Sequence, residues 1–314
     1  MPATMPAPNE PDTSPAASAL LANDQVEAVP EEWGAAMKEY ATDTNNDAAY
    51  EKVWELSLRQ ALPARAWSPL VSSANRRGDI ERLKIAAARV GASAEFANTE
   101  RLITAASLGH TDCVAFWLEQ GSNPRQMGAS GKSALMEAAW INKLECVETL
   151  IPVSDIDARD EDGNSALNFA ISSMNEDCAL ALIRAGADSA AGPKDFDSPP
   201  VYWAVLSGMD RLVEKLAKKS GLSKKYARQE TLLDIALRRE KWGCVDALCE
   251  ADTVKVAEKA LLVAKEQGKE ACIPRTLARL EALALADVVK IAKITTVSSR
   301  ERSDTPATKK VSRV

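Results

Sequence analysis

Apolar residues recur along the middle of the chain in short blocks at a nearly constant spacing. Residues 131–138 and 163–170 both read Gly-x-Ser-Ala-Leu-x-x-Ala, and the two blocks begin 32 residues apart. With the last alanine of each block as the origin, apolar pairs follow at positions +8/+9 and +12/+13, which is one face of a helix. Each block therefore predicts a short helix followed by a second, amphipathic helix.

The same spacing continues on both sides of these two blocks. Five units share it, with intervals of 32 to 34 residues between their origins. The five origin alanines are Ala105, Ala138, Ala170, Ala204 and Ala236. Two weaker units flank them, with origins at Ala74 and Ala264, so the pattern covers residues 67–285. Because neither helix of a unit can bury its apolar face alone, the units are expected to stack on one another.

This pattern resembles the ankyrin repeat, a hairpin turn plus two short antiparallel helices with a period near 33 residues. The resemblance implies an all-α ankyrin-repeat solenoid of five clear helix-turn-helix repeats with degenerate capping repeats at its ends. One departure from the family is visible in the Thr-Pro-Leu-His turn. It reads Ser-Ala-Leu-Met, Ser-Ala-Leu-Asn, Pro-Pro-Val-Tyr and Thr-Leu-Leu-Asp in this chain, which predicts that each unit lacks a recurring hydrogen bond of the histidine.

Residues 31–66 precede the repeats and have the periodicity of two helices. Trp33, Met37 and Tyr40 share one helical face, and Val53 and Trp54 lie on a face of the second helix. The terminal repeats of a solenoid need a cover with a polar outer surface. We therefore expect a helical N-terminal cap here, with a separate docking helix as the alternative.

Charge is distributed unevenly between the two ends of the chain. The net charge of the whole chain is −6, and the first 50 residues contain nine acids and one base. Residues 1–30 are rich in Pro, Ala, Ser and Thr without apolar periodicity, which is typical of a disordered segment. Residues 286–314 are basic, and we expect a disordered tail. Nothing in this balance favours nucleic acid as a partner, and no apolar run is long enough to predict a transmembrane helix.

The residues that most often carry chemistry fall on structural positions of the repeat. The one histidine, His110, follows Gly109 at the start of a second helix, where we expect it to make a turn hydrogen bond. Five of the six cysteines occupy position +8 and the sixth position +13, so we expect buried, reduced thiols and neither disulfides nor a zinc site. There is no phosphate-binding loop and no Gly-x-Ser-x-Gly motif. The sequence therefore predicts no enzyme, no cofactor and no small-molecule substrate.

Protein binding is the function that the resemblance implies, through the concave surface of the first helices and through the hairpin tips. In the ankyrin pattern, positions +2 and +3 face the concave surface and positions −9 and −8 lie at the tips. The predicted partner contacts at these positions are Leu108, Trp140, Ile141, Glu161, Asp162, Phe196 and Leu206. Contiguous exposed apolar side chains mark interaction surfaces; the alternative is that these side chains extend the core.

Two functions remain open on the sequence alone. The first is a cytoplasmic adaptor or scaffold that binds one protein partner. The second is a translocated effector that captures or inhibits a target protein inside a host cell, with one end of the chain as a transport signal. The chain also ends in Ser312-Arg313-Val314, which resembles the peptides that bind PDZ domains.

Overall fold

A computed structural model describes residues 30–60, 62–63, 66–90, 98–190, 192, 198–217, 230–251, 254–268 and 278. The helices are α1 (Glu31–Thr42), α2 (Asp47–Arg59), α3 (Trp67–Arg77), α4 (Ile80–Val90), α5 (Thr99–Leu108), α6 (Thr111–Glu119), α7 (Ala134–Trp140), α8 (Leu144–Leu150), α9 (Ala166–Ser172), α10 (Glu176–Arg184), α11 (Pro200–Ser207), α12 (Asp210–Ala217), α13 (Leu232–Arg238), α14 (Trp242–Ala251) and α15 (Val254–Glu266). No strand occurs among the described residues. The prediction of an all-α repeat fold is confirmed.

The chain divides into two compact units, residues 1–188 and residues 189–314. Helices α1 to α10 lie in the first compact unit, where α1 packs on α2 and where α3/α4, α5/α6, α7/α8 and α9/α10 form four helical pairs. Helices α11 to α15 lie in the second, with α11/α12 and α13/α14 as pairs. Within each unit, the first helices of successive pairs pack on one another. None of the described helices is both long enough and apolar enough to span a bilayer.

The origin alanines lie at the centre of each stack. Each of the seven has no solvent exposure: Ala74, Ala105, Ala138, Ala170, Ala204, Ala236 and Ala264. A first helix packs against the first helices of its neighbours, and alanine is the smallest residue that still favours a helix. The register of the repeat, including the two weaker units at its ends, is therefore confirmed by burial.

Hydroxyl side chains cap the first helices of three repeats. Ser133 Oγ accepts a hydrogen bond from the Met136 amide, and Ser165 and Thr231 do the same for Asn168 and Asp234. Such caps satisfy amides that have no partner within the helix, and each is worth about 1 kcal/mol. The chain begins its helices without help from the family's histidine.

The missing histidine is replaced in one repeat by an aspartate. Asp234 accepts hydrogen bonds from the backbone amide and the hydroxyl of Thr231 and pairs with Lys259 at 2.8 Å. Burial opposes ionisation of this carboxyl, but the bonds from Lys259 and Thr231 outweigh it and hold its pKa below the ordinary value. The expectation that every unit lacks the hydrogen bond of this position is wrong for the repeat of Ala236, and also for the repeat of Ala138, where the Met136 sulfur accepts from the Ser133 amide at 3.5 Å.

The turn after each first helix has the same left-handed backbone in all seven repeats. Position +4 is glycine in four of them, with φ between 67° and 83°. The other three have Asn142, Met174 and Glu240 there, with φ of 60°, 60° and 54°. A left-handed conformation costs an L-residue roughly 1–2 kcal/mol. The stack therefore imposes this turn even where the residue type opposes it.

The residue after the turn, at position +5, reaches back to the preceding repeat. His110 Nε2 donates a hydrogen bond to the Arg76 carbonyl at 2.9 Å. Asn175 Nδ2 donates to the carbonyls of Ala139 and Trp140 at 2.9 and 2.7 Å. These carbonyls lie at the end of a first helix, where they have no partner within it. The predicted structural role of His110 is confirmed.

The cysteines of the described chain are free and buried. Four occupy position +8 and one occupies position +13: Cys113, Cys146, Cys178, Cys244 and Cys249. Burial raises the pKa of Cys113 and of Cys178 to about 11, so these thiols stay protonated at neutral pH. The prediction of buried, unbridged core cysteines is confirmed for these five, and Cys272 lies outside the described residues.

Polar and cationic contacts join the α1–α2 hairpin to the first repeat. The Tyr40 and Ser73 hydroxyls lie 2.5 Å apart, and Arg77 forms an ion pair with Asp47. The guanidinium groups of Arg77 and Arg82 lie 4.3 and 4.4 Å from the ring centre of Tyr50. Contacts between a cation and an aromatic face are attractive when partly desolvated, so these groups anchor the hairpin on α3 and α4.

Candidate protein-binding surface

Exposed apolar side chains are concentrated at the C-terminal ends of first helices in the first compact unit. Of the five large apolar residues that are exposed between residues 98 and 190, four occupy positions +2 to +4 of three successive repeats. These four are Leu108, Trp140, Ile141 and Met174, which we name the apolar stripe. They lie at the end of α5, at the end of α7 and just after α9. Apolar side chains that recur in register on a surface are typical of an interaction site.

Trp140 is fixed in place although its side chain is 38% exposed. Lys132 Nζ lies 3.5 Å from the centre of its ring, and the ring of Phe169 lies at 6.1 Å in a tilted arrangement. Lys132 also forms a 3.3 Å ion pair with Glu137, and both side chains are largely buried. The indole therefore has one side packed on this cluster while the rest remains accessible to a partner.

A row of carboxylates accompanies the apolar stripe. Asp112, Glu145 and Asp177 occupy position +7 in the first turns of α6, α8 and α10, and all three are exposed. We name these three residues the acidic row. Glu145 also accepts a hydrogen bond from Thr111 of the preceding repeat at 3.4 Å. The acidic row belongs to the same three repeats as the apolar stripe.

The two predicted hairpin-tip residues lie at the other end of the repeat. Glu161 and Asp162 are exposed in the hairpin before α9, whereas the apolar stripe lies at the far ends of the first helices. A helix of seven residues is about 10 Å long. In the same hairpin region, Arg159 donates to the Gly163 carbonyl, and Asp157 accepts from the Asp188 amide. These two acids therefore belong to a different segment of the repeat from the apolar stripe, and their role as partner contacts stays a prediction.

The remaining two predicted contacts lie outside the apolar stripe. Leu206 is half-buried on α11 of the second compact unit. Phe196 lies outside the described residues. Met174 was not predicted, because the predicted contacts of the first helices came only from positions +2 and +3 and Met174 is at position +4. The side chain of Met174 is nonetheless the most exposed of the stripe, at 67%. A large apolar residue where the repeat favours glycine was the available signal.

Residues 102–192 match the family model of ankyrin repeats, in three copies. These residues are ankyrin repeats. The matched range contains the whole apolar stripe and the whole acidic row. Ankyrin repeats support a role as a protein-interaction module, in agreement with the predicted class of function. No group of three or more His, Cys, Asp or Glu side chains is placed to hold a metal ion in the described part of the chain.

Two curated relatives extend the comparison. The chain is 44% identical over 71 residues to protein phosphatase 1 regulatory subunit 27 of Mus musculus and to the same protein of Homo sapiens. The match covers 22% of this chain and 46% of each relative. The similarity to these regulatory subunits is therefore limited to a part of both proteins.

Proposed function

We propose that this protein is a non-catalytic, cytoplasmic adaptor that binds a protein partner through the apolar stripe of its ankyrin repeats. The observation that carries the proposal is the recurrence of exposed apolar side chains at one level of three successive repeats. The interior of these repeats is already shielded from solvent without the side chains of the stripe. The exposed part of each stripe residue lies outside the core, and burying it against a partner gains hydrophobic free energy of about 25 cal/mol per Å².

Trp140 is the proposed anchor of this interface. Tryptophan is enriched among the few residues that carry most of the binding free energy. Its contacts with Lys132 and Phe169 restrict the ring before a partner arrives, so little side-chain entropy is lost on binding. Leu108, Ile141 and Met174 would surround it. Glu161 and Asp162 at the hairpin tip and Leu206 on α11 are proposed as secondary contacts.

The test is a capture experiment with the full chain and two variants. Immobilised wild-type protein and Trp140→Ala are compared for the partners that they retain. The matched control is Val153→Ala, because Val153 is equally exposed but lies away from the stripe. We expect Trp140→Ala to weaken binding by about 30-fold, or roughly 2 kcal/mol, with an unchanged melting temperature. Partners that bind Trp140→Ala as tightly as wild type, or a collapse of its stability, would contradict the proposal.

The name of the relatives makes protein phosphatase 1 the first defined partner to test. Those relatives are regulatory subunits of that enzyme by name, and this chain is 44% identical to each of them over 71 residues. Binding of the purified phosphatase can be measured directly by calorimetry with the same three proteins. Binding that disappears in Trp140→Ala and persists in Val153→Ala would assign the phosphatase to the stripe. Absence of binding would remove this partner and leave the capture result to decide the general proposal.

A further inference from the structure

The acidic row beside the apolar stripe indicates which kind of partner segment fits this surface. We propose that the stripe binds an amphipathic helix of a partner protein, with lysine or arginine flanking the apolar face of that helix. This inference rests on the proposed function, because it names the occupant of the same surface.

The spacing of the stripe fits the repeat of a helix. Leu108, Ile141 and Met174 belong to successive repeats, and packed helices lie about 8–10 Å apart. A helix rises about 1.5 Å per residue, so side chains seven residues apart recur after about 10.5 Å on nearly the same face. A partner helix that lies along the stack can therefore place one apolar side chain on each of the three repeats.

The charges beside the stripe select a basic helix. Asp112, Glu145 and Asp177 follow the apolar residues of their repeats by three to five positions, so the acidic row runs parallel to the stripe. Carboxylates aligned in this way attract cationic side chains and repel anionic ones, which accelerates the encounter and fixes the register of the partner. Position +7 is also an acid, Glu81, in the preceding repeat, and it is Arg211 and Gly243 in the next two, so acids at this position cover the three repeats of the stripe and one repeat more.

A carboxylate in the first turn also stabilises its own helix through the helix dipole. In α12 of the second compact unit, however, Asp210 occupies that turn at position +6 and Arg211 follows it at +7. The needs of the helix therefore do not require an acid at position +7. The acids at position +7 are a property of the first four repeats, where they leave a row of exposed carboxylates that a cationic partner segment can contact.

The probe is a synthetic peptide of about three heptads, with leucine on one face, lysine on the flanking positions and no stable helix of its own in circular dichroism. It is titrated into the full-length chain, and fluorescence anisotropy gives the affinity while circular dichroism gives the helix content. We expect binding with a gain of peptide helicity. The affinity should fall by at least about tenfold between low salt and about 0.5 M salt, because ionic screening weakens the attraction of exposed charges.

Matched variants separate the apolar and the charged contributions. Ile141→Asp should abolish binding, and Val153→Asp should leave it unchanged. The triple variant Asp112→Lys, Glu145→Lys, Asp177→Lys should weaken binding by at least about tenfold. Its control is Glu119→Lys, Glu148→Lys, Asp155→Lys, which changes the net charge equally at exposed positions outside the acidic row and should have a much smaller effect. Unchanged circular dichroism spectra confirm that each variant is folded.

Three peptide controls can overturn the inference. A peptide with glutamate in place of lysine that binds as well as the original, and loses binding in Ile141→Asp, would keep the docking surface and refute the cationic partner. A peptide with a central proline that binds equally well would refute the helix. If the original peptide binds only after removal of residues 288–314, which contain seven bases and two acids, the stripe would belong to the chain's own tail. Absence of any peptide binding would also refute the inference, while the capture experiment would still judge the proposed function.

Discussion

The same register positions have opposite surface chemistry in two repeats, one from each compact unit. In the repeat of Ala138, positions +2 and +3 are Trp140 and Ile141, whereas in the repeat of Ala236 they are Arg238 and Arg239. Position −6 changes with them: Lys132 lies over the Trp140 ring, and Glu230 forms a double hydrogen bond with Arg238 at 3.1 and 2.8 Å. The origin alanines of both repeats are equally buried. The interior of the stack is thus constant, and its outer positions vary in coordinated pairs.

The largest effect is expected in the constant interior. Ala138→Arg would place an unpaired charge and excess volume in a site with no solvent exposure, so it should cost about 3 kcal/mol or more of the free energy of unfolding. Ala236→Arg should cost a similar amount in the second compact unit. Thermal unfolding monitored by circular dichroism measures both. A shift of only a degree or two in the melting temperature of either variant would contradict the common register.

The second effect separates the two surfaces. Trp140→Ala should weaken partner binding by roughly 2 kcal/mol with little change in the melting temperature. Arg238→Ala, at the equivalent position, should change neither the binding nor the melting temperature, because its ion pair with Glu230 is exposed and such pairs contribute little. Calorimetric titration of one partner into both variants is the measurement. Equal loss of binding in the two variants would show that the interface extends to the second compact unit.

A smaller, stabilising effect is expected at the turns. Met174→Gly and Glu240→Gly should each raise the free energy of unfolding by about 1 kcal/mol, because glycine adopts the left-handed conformation without steric cost. Only Met174→Gly should also weaken partner binding, since Met174 belongs to the apolar stripe. Asn142→Gly should change stability least, because asparagine tolerates this conformation. A lower free energy of unfolding for Glu240→Gly than for wild type would show that the strain inferred from the positive φ is absent.

The smallest expected effect concerns the rate at which the cysteines react with a thiol reagent in the folded protein. Cys113, Cys146 and Cys178 of the first compact unit and Cys244 and Cys249 of the second should all react slowly with iodoacetamide at pH 8 and rapidly in denaturant, as counted by mass. Burial raises the pKa of Cys113 and Cys178 from 9 to about 11. The protonated thiols therefore make their full contribution to the free energy of unfolding below pH 9, and this contribution is lost as the pH rises through 11. Rapid labelling of Cys178 at pH 8 would contradict its burial.

The interior of the repeats could be predicted from the sequence, whereas the shape of the surface could not. The origin alanines were found by spacing alone, because close packing of first helices restricts each of these positions to a small residue. The position of Trp140 between core and surface depends on Lys132, whose direction is set by the buried carboxylate of Glu137. Such a three-body arrangement leaves no periodic signal in a sequence.

Turn geometry explains the other difference between sequence and structure. Glycine at position +4 indicates the left-handed turn in only some of the repeats. The sequence therefore did not show that Met174 adopts the same left-handed backbone and exposes its side chain. The contacts between neighbouring repeats impose the turn there, and these contacts become visible only once the register is built in three dimensions. The grouping of Glu161 and Asp162 with Trp140 stays a prediction, because the position of a residue in the repeat pattern does not give the distance between side chains of neighbouring repeats.

The hydrogen bonds from position +5 have a consequence for how the protein is made. The carbonyls of Arg76 and Trp140 are satisfied by His110 and Asn175, side chains that lie 34 and 35 residues later in the chain. A ribosome that adds roughly 5–20 residues per second leaves each of these helix ends open for roughly 2–7 seconds until the next repeat has been synthesised. The first helices of these two repeats are therefore completed only when the following repeat has been synthesised.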